Sequence, residues 1–217
     1  VVGISGGIDS SVVSTLCANT GRKTIVLTMP IKQIKSQHDL SLTHAKWLKQ
    51  KYKNVEHHLL EMDKIFNSFS QVLNKFDNEH GYANSRARLR MATLYQVAAA
   101  NNGIVVGTGN KVEDFGVGFY TKYGDGGVDI SPIADCNKSQ VWELGRHLGV
   151  SEEIINAQPT DGLWDDGRND VEQLGMSYAD LEKAMENKDD PNYQKYLEIR
   201  EKNLHKMNPI PVCTFNE

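Results

Sequence analysis

Ser5-Gly6-Gly7-Ile8-Asp9-Ser10-Ser11 stands directly after the apolar run Val1-Val2-Gly3-Ile4, where a strand would turn into a helix. Two adjacent glycines permit a sharp turn that brings backbone N–H groups against a ligand, and the hydroxyls of Ser5, Ser10 and Ser11 add donors. Apolar side chains recur at helical spacing over 11–18, so the turn falls at a helix N-terminus, where the dipole favours an anion. The string therefore reads as a pyrophosphate cradle. Asp9 is out of place in it unless a divalent cation separates carboxylate from phosphate, and Mg²⁺ is typically held by one or two carboxylates plus phosphate oxygens. Magnesium is expected.

Gly107-Thr108-Gly109-Asn110-Lys111-Val112-Glu113-Asp114 follows a second apolar run and supplies the next acid. Alone, Glu113 reads as a helix N-terminal or loop acid. Beside Asp9 it reads as a second magnesium carboxylate, placed to neutralise charge on a departing pyrophosphate. Phe119-Tyr120-Thr121-Lys122-Tyr123-Gly124-Asp125-Gly126-Gly127-Val128-Asp129 is long and glycine-rich enough to be a lid that keeps water from a reactive intermediate. Its alternative is a β-hairpin turn at Gly126-Gly127.

Strands are predicted over 1–4, 24–29, 55–60, 104–107 and 128–130 from short β-branched runs, and helices over 40–52, 65–76, 83–100 and 138–148 from apolar spacing. In the helix over 83–100, Leu89, Ala92, Tyr95, Gln96 and Ala99 are assigned to the inward face. The alternation predicts an α/β fold, a doubly wound parallel five-stranded sheet with right-handed crossovers and helices on both faces. Beyond Pro159 no strand is expected, only irregular chain and a helical C-terminal tail with helices near 178–187 and 192–206. Ligands bind such sheets at strand carboxyl ends. The loop at Ser5, the turn after Met29 and the segment from Gly107 should therefore converge on one site.

The 217 residues suit a single domain spanning 1–217, and because Val1 already lies in the first strand a preceding segment is expected to be missing from this numbering. With 24 basic and 28 acidic residues the net charge is −4, which disfavours a nucleic-acid partner and an anionic membrane surface. Cys17, Cys136 and Cys213 show no CxxC spacing, which fits neither a disulfide framework nor zinc and suits a cytoplasmic location. No apolar run approaches the roughly 20 residues of a membrane span, and no signal peptide is visible.

Ile8-Asp9 occupies the region where a Walker loop needs lysine followed by Ser or Thr. The string instead resembles the SGGxDS loop of the PP-loop ATP pyrophosphatase superfamily, which implies cleavage of ATP between its α and β phosphates and an adenine nucleotide alpha hydrolase-like fold. Further strings, in order, resemble the NAD synthetase family: Asn84-Ser85-Arg86-Ala87-Arg88-Leu89-Arg90-Met91, the two loops above, Asn137-Lys138-Ser139-Gln140-Val141, Gln158-Pro159-Thr160-Asp161-Gly162-Leu163-Trp164 and His205-Lys206. The resemblance covers nearly the whole chain. It implies ammonia-dependent amidation of deamido-NAD with ATP as co-substrate, and release of AMP and pyrophosphate. It further implies that Gly3, Ile4, Ser5, Gly6, Gly7, Ile8, Asp9, Ser10, Thr108, Lys138 and Thr160 contact ATP, and that Asp9 and Glu113 hold Mg²⁺. Arg88, Lys122, Asp129, His205 and Lys206 are implied to contact deamido-NAD, and a homodimer is implied. Nothing in the chain has room for a glutaminase domain, so free ammonia is the expected nitrogen source. Asp125, an acid among glycines and aromatics, is assigned to orienting ammonium or accepting its proton, and Lys122 joins it as a catalytic candidate. Two departures stand out: Glu113 to Lys122 is one residue longer than in bacterial relatives, and 31–38 lacks a match and receives no site. The alternatives are another PP-loop amidase or AMP-forming ligase, and a non-catalytic adenine-nucleotide-binding module.

Overall fold

The computed structural model describes residues 1–164 and 169–215. Strands β1 (Val2–Gly3), β2 (Thr24–Thr28) and β3 (Val55–Leu59) form a parallel sheet in the order β1-β2-β3, with Val2 opposite Val26 and Thr24 opposite Val55. Helices α1 (Ile8–Asn19) and α2 (Lys35–Lys51) make the crossovers. Every residue of β2 is buried because both sheet faces are covered. Val26 packs with Val12, Val13 and Leu48 on one side, while Ile25 and Leu27 pack with Phe66, Met91 and Leu94 on the other.

The five strands expected from sequence resolve into three regular ones among the described residues. The segment 104–107 does run beside β1, with the Val1 amine donating to Ile104 O (2.8 Å) and Val106 N–H to Val1 O (2.9 Å). A single parallel bridge, Val106 with Ile130, joins it to 128–130. The ladder is interrupted because Val105 N–H donates to the Asp129 carboxylate (2.7 Å) in place of a neighbouring carbonyl.

Helices α3 (Asp63–Val72) and α4 (Glu79–Ala100) cover the second face. Helix α4 begins four residues before its expected start because the Asn78 side chain accepts from Gly81 N–H (2.7 Å) and caps it there. Its inward face differs from expectation except at Leu89, which is partly buried against the core. Ala83, Ala87, Met91, Leu94 and Ala98 are buried, whereas Ala92, Tyr95, Gln96 and Ala99 are exposed. Apolar residues lie on more than one side of this helix, so periodicity alone does not choose between them; Met91, Leu94 and Ala98 are the side chains that pack with Ile25 and Leu27.

A π-helix, Lys111–Val117, follows the 104–107 segment, and α5 (Lys138–Leu148) packs beside α1. Short helices α6 (Glu152–Ile155) and α7 (Asp170–Leu174) lead to α8 (Tyr178–Glu186) and α9 (Tyr193–Met207), the expected helical tail. Val112, Val117, Leu174, Leu181 and Tyr196 form its core, which binds the tail to the π-helix that carries Glu113. No helix among the described residues is long and apolar enough to cross a membrane.

Candidate active site

Ile4 N–H donates to Leu27 O (2.8 Å), holding the chain in register with β2 up to the turn. Gly6 then adopts φ +94°, and a Cβ there would lie 2.5 Å from Gln37 O of α2. Glycine is required at this position by both the dihedral and the close approach. The serine hydroxyls brace the turn. Ser10 Oγ donates to Gly7 O (3.1 Å) and accepts from Ser5 N–H (3.2 Å), and Gly7 N–H donates to Ser5 Oγ (3.2 Å). Ser11, expected among the ligand donors, is fully buried and donates to Gly7 O (2.9 Å) inside α1. Anion capacity is left chiefly to the opening amides of α1, which have no intrahelical acceptors.

Gly3 to Ser10, Thr108, Glu113, Asp125, Lys138 and Thr160 line one cavity of about 260 Å³. The three strand ends thus converge as expected, and the implied ATP set is brought together whole. Gln33 and Gln37, from the 31–38 segment that receives no site from sequence, also line it, as does Leu40. Gln33 Nε2 donates to Ser5 O (3.3 Å), tying that segment to the loop.

The cavity floor is a charge cluster. Lys138 Nζ lies 2.5 Å from Asp9 Oδ2 and 2.9 Å from Glu113 Oε1. Asn110, fully buried, donates to Asp9 Oδ1 (3.0 Å) and accepts from Val112 and Glu113 N–H (3.0 Å each), so one side chain both caps the π-helix and orients Asp9. Burial pushes Asp9 up, against the pull of Lys138. Burial opposes ionisation of Glu113 too, but the Lys138 charge and the bonds from Lys138, Tyr178 and Asn110 outweigh it and hold Glu113 below its usual range. Burial likewise works against the Lys138 ammonium, and the two carboxylates overcome it. Two acids bracketing one cation beside an anion-binding turn are a donor set that fits a hard divalent ion shared with phosphate oxygens. No group of three or more His, Cys, Asp and Glu side chains suited to a metal occurs among the described residues.

The implied deamido-NAD residues lie outside this lining. Arg88 Nε donates to Lys122 O (3.2 Å) and Lys122 Nζ to His205 O (2.6 Å), so these three form one chain. Lys206 Nζ donates to Gly118 O and Tyr120 O (2.8 Å each). Asp129 stands apart at the sheet edge, accepting from Tyr95 Oη (3.0 Å) and Val105 N–H. The 119–129 segment is not a hairpin. It is a run of tight turns in which Thr121 N–H donates to Asp125 Oδ1 (2.9 Å), fastened to α4 by Thr121 Oγ1 on Asn84 Oδ1 (2.7 Å) and to α9 by the lysines. Asp125 opens on the cavity within this wall, and loss of surrounding solvent pushes its carboxyl up to about 6.

Sequence reading missed Tyr178, Asp170 and Arg90. Tyr178 Oη lies 2.5 Å from Glu113 Oε1 and 2.9 Å from Asp170 Oδ2. Arg90 lines the cavity and donates to Met29 O (3.0 Å), with burial lowering its guanidinium to about 10. Arg90 lies within the 84–91 motif; nothing local marks the other two.

A parallel sheet wrapped on both faces, with a glycine turn and paired acids at its strand ends, defines an α/β nucleotide-binding protein built to hold a polyphosphate. Comparison narrows this class. A family model described as NAD synthase matches residues 1–211, and the chain belongs to that family. An NH(3)-dependent NAD(+) synthetase of Alkaliphilus metalliredigens is 40% identical, over 94% of this chain and 83% of the relative. Among solved structures, NMN synthetase from Francisella tularensis has a TM-score of 0.90 at 31% identity, over 99% of this chain and 88% of its own. NH3-dependent NAD synthetase from Campylobacter jejuni, solved with nitrate, has 0.77 at 27%, over 98% and 88%.

Proposed function

We propose that this chain is an ammonia-dependent NAD synthetase that makes the amide in two displacements. An oxygen of the nicotinate carboxylate of deamido-NAD attacks the ATP α-phosphorus and expels pyrophosphate. Ammonia then attacks the acyl carbon and expels AMP. The observation that carries this is the Asp9–Lys138–Glu113 cluster beside the glycine turn in one cavity. The amides at the start of α1 receive the pyrophosphate, and Thr108 and Thr160 bind oxygens without adding charge. Asp9 and Glu113 would hold Mg²⁺, which when bound neutralises charge on the leaving group. Lys138 favours the ionised form of both acids and holds them close. Asp125 takes a proton from ammonium, for which a carboxyl raised to about 6 is suited near neutral pH. The Arg88–Lys122–His205 chain, Lys206 and Asp129 meet the dinucleotide beyond the cavity.

The finer assignments are part of the same proposal: one domain, a cytoplasmic location and a homodimer. Tyr95, Ile104 and Ile130 are 38%, 50% and 47% exposed, and the Asp129 carboxylate next to Ile130 accepts from Tyr95 Oη and from the N–H of Val105 next to Ile104; such exposed apolar side chains support the dimer. The test incubates the chain with deamido-NAD, ATP, Mg²⁺ and ammonium and looks for NAD⁺ with equimolar AMP; ADP as the product overturns it. A second acceptor, the mononucleotide, is favoured by the likeness to the Francisella structure. Comparing kcat/KM for deamido-NAD and nicotinate mononucleotide decides between them.

A further inference from the structure

We propose that Asp170 and Tyr178 are positioning residues for Glu113, acting in series to fix which of its oxygens faces the cation; this rests on the assignment of Glu113 to the metal. A phenol has one hydrogen to donate, yet Tyr178 Oη lies within hydrogen-bond distance of two carboxyl groups, Glu113 Oε1 at 2.5 Å and Asp170 Oδ2 at 2.9 Å. Both contacts are hydrogen bonds only if one carboxyl group is itself the donor. Glu113 is bonded to the Lys138 ammonium and is the ionised member. Asp170 is 4% exposed, and its other oxygen has no hydrogen-bond partner among the described residues. A carboxylate so placed would be a poorly compensated buried charge. Asp170 therefore stands as the donor, its hydrogen on Tyr178 Oη and the tyrosine hydrogen on Glu113 Oε1. Burial pushes the Asp170 carboxyl up to about 7, which agrees.

The backbone holds each member in place. Asn169 and Glu172 form a capping box that starts α7 at Asp170, whose N–H donates to Pro159 O (3.0 Å) beside Thr160. Ser177 caps α8 at Tyr178, whose ring is held edge-on by Trp142 with centroids 6.0 Å apart and carries Lys138 Nζ 4.8 Å from its centroid. The bonds from Tyr178 and Lys138 both fall on Glu113 Oε1, so Oε2 is the oxygen that would face a bound Mg²⁺.

Three variants test this, Tyr178→Phe, Asp170→Asn and Asp170→Leu, with circular dichroism checking the fold of each. Two quantities are read: the magnesium concentration for half-maximal rate, and the rise in Tm on adding Mg²⁺ with pyrophosphate. An asparagine amide can donate to Tyr178 Oη, so Asp170→Asn is expected to match the parent in both. Tyr178→Phe and Asp170→Leu are expected to need about tenfold more magnesium, the order of one lost hydrogen bond to a charged group. They should also show a smaller Tm rise, with KM for deamido-NAD unchanged. A parental magnesium requirement in Tyr178→Phe, or Asp170→Asn failing like Asp170→Leu, overturns the series. A parent with neither a magnesium requirement nor a Tm rise overturns the metal assignment of Glu113 instead.

Discussion

Replacing Lys138 by Met removes a positive charge bonded to both Asp9 and Glu113 while keeping the length of the side chain. Lys138 is 2% exposed and its two partners 17% and 15%, so solvent screens the orphaned acids weakly. The least costly response is for one acid to take up a proton, and Asp9, already raised by burial, is the one to do so. Holding a carboxyl of unfolded pKa about 4 in its acid form costs about 4 kcal/mol at pH 7 and about 1.4 kcal/mol at pH 5. The higher figure agrees with the roughly 3–5 kcal/mol lost when one partner of a buried pair is removed. The sign follows from the raised folded pKa: the variant matches its parent below the unfolded pKa and loses stability as pH rises. In a domain of this size, Tm should fall by about 8–16 °C at pH 7 and about 3–6 °C at pH 5. Thermal unfolding by circular dichroism at the two pH values measures it. An equal fall at both would refute charge compensation and point to packing, and a fall under about 2 °C at pH 7 would show that the acids do not depend on Lys138.

Glu113→Gln should lower turnover far more than ATP affinity, and unchanged turnover would favour a non-catalytic nucleotide binder. Gly6→Ala should lose nucleotide binding and, from the strain of its φ, about 1–2 kcal/mol before any cost of the contact with Gln37, read by denaturant unfolding. Asp125→Asn should lower the rate and remove the acid limb of the pH–rate profile near pH 6; a profile and rate equal to the parent's would end its role as proton acceptor. Burial lowers the His44 imidazole to about 4, so the unfolded chain protonates first as pH falls below 6.5. About 3 kcal/mol of stability is lost by pH 4 as a result, and His44→Gln should flatten that limb of the unfolding curve.

The local signals in the chain determined a great deal. Gly6-Gly7 followed by Ile8-Asp9 could only be a turn into a helix with an acid at its first turn, and the run of short apolar segments between helices led to a sheet covered on both faces. The ends of those segments marked where ligands gather, because strand direction is the same throughout such a sheet. Helix α5 was legible to the residue, since Lys138 follows a capping Asn137 and Gly149 closes the last turn at φ +79°.

What tertiary structure decided depends on residues distant in sequence. Tyr178 lies 65 positions from Glu113, and Lys138 is 129 from Asp9, so no periodicity could announce these bonds. Whether Ser11 faces ligand or helix, and which stripe of α4 faces inward, is set by what packs against them. The Asp129 carboxylate took a ladder amide, and three strands became regular where five were expected. A segment carries its own propensity and turn chemistry, but the pairing of its charges and the side it buries belong to its neighbours.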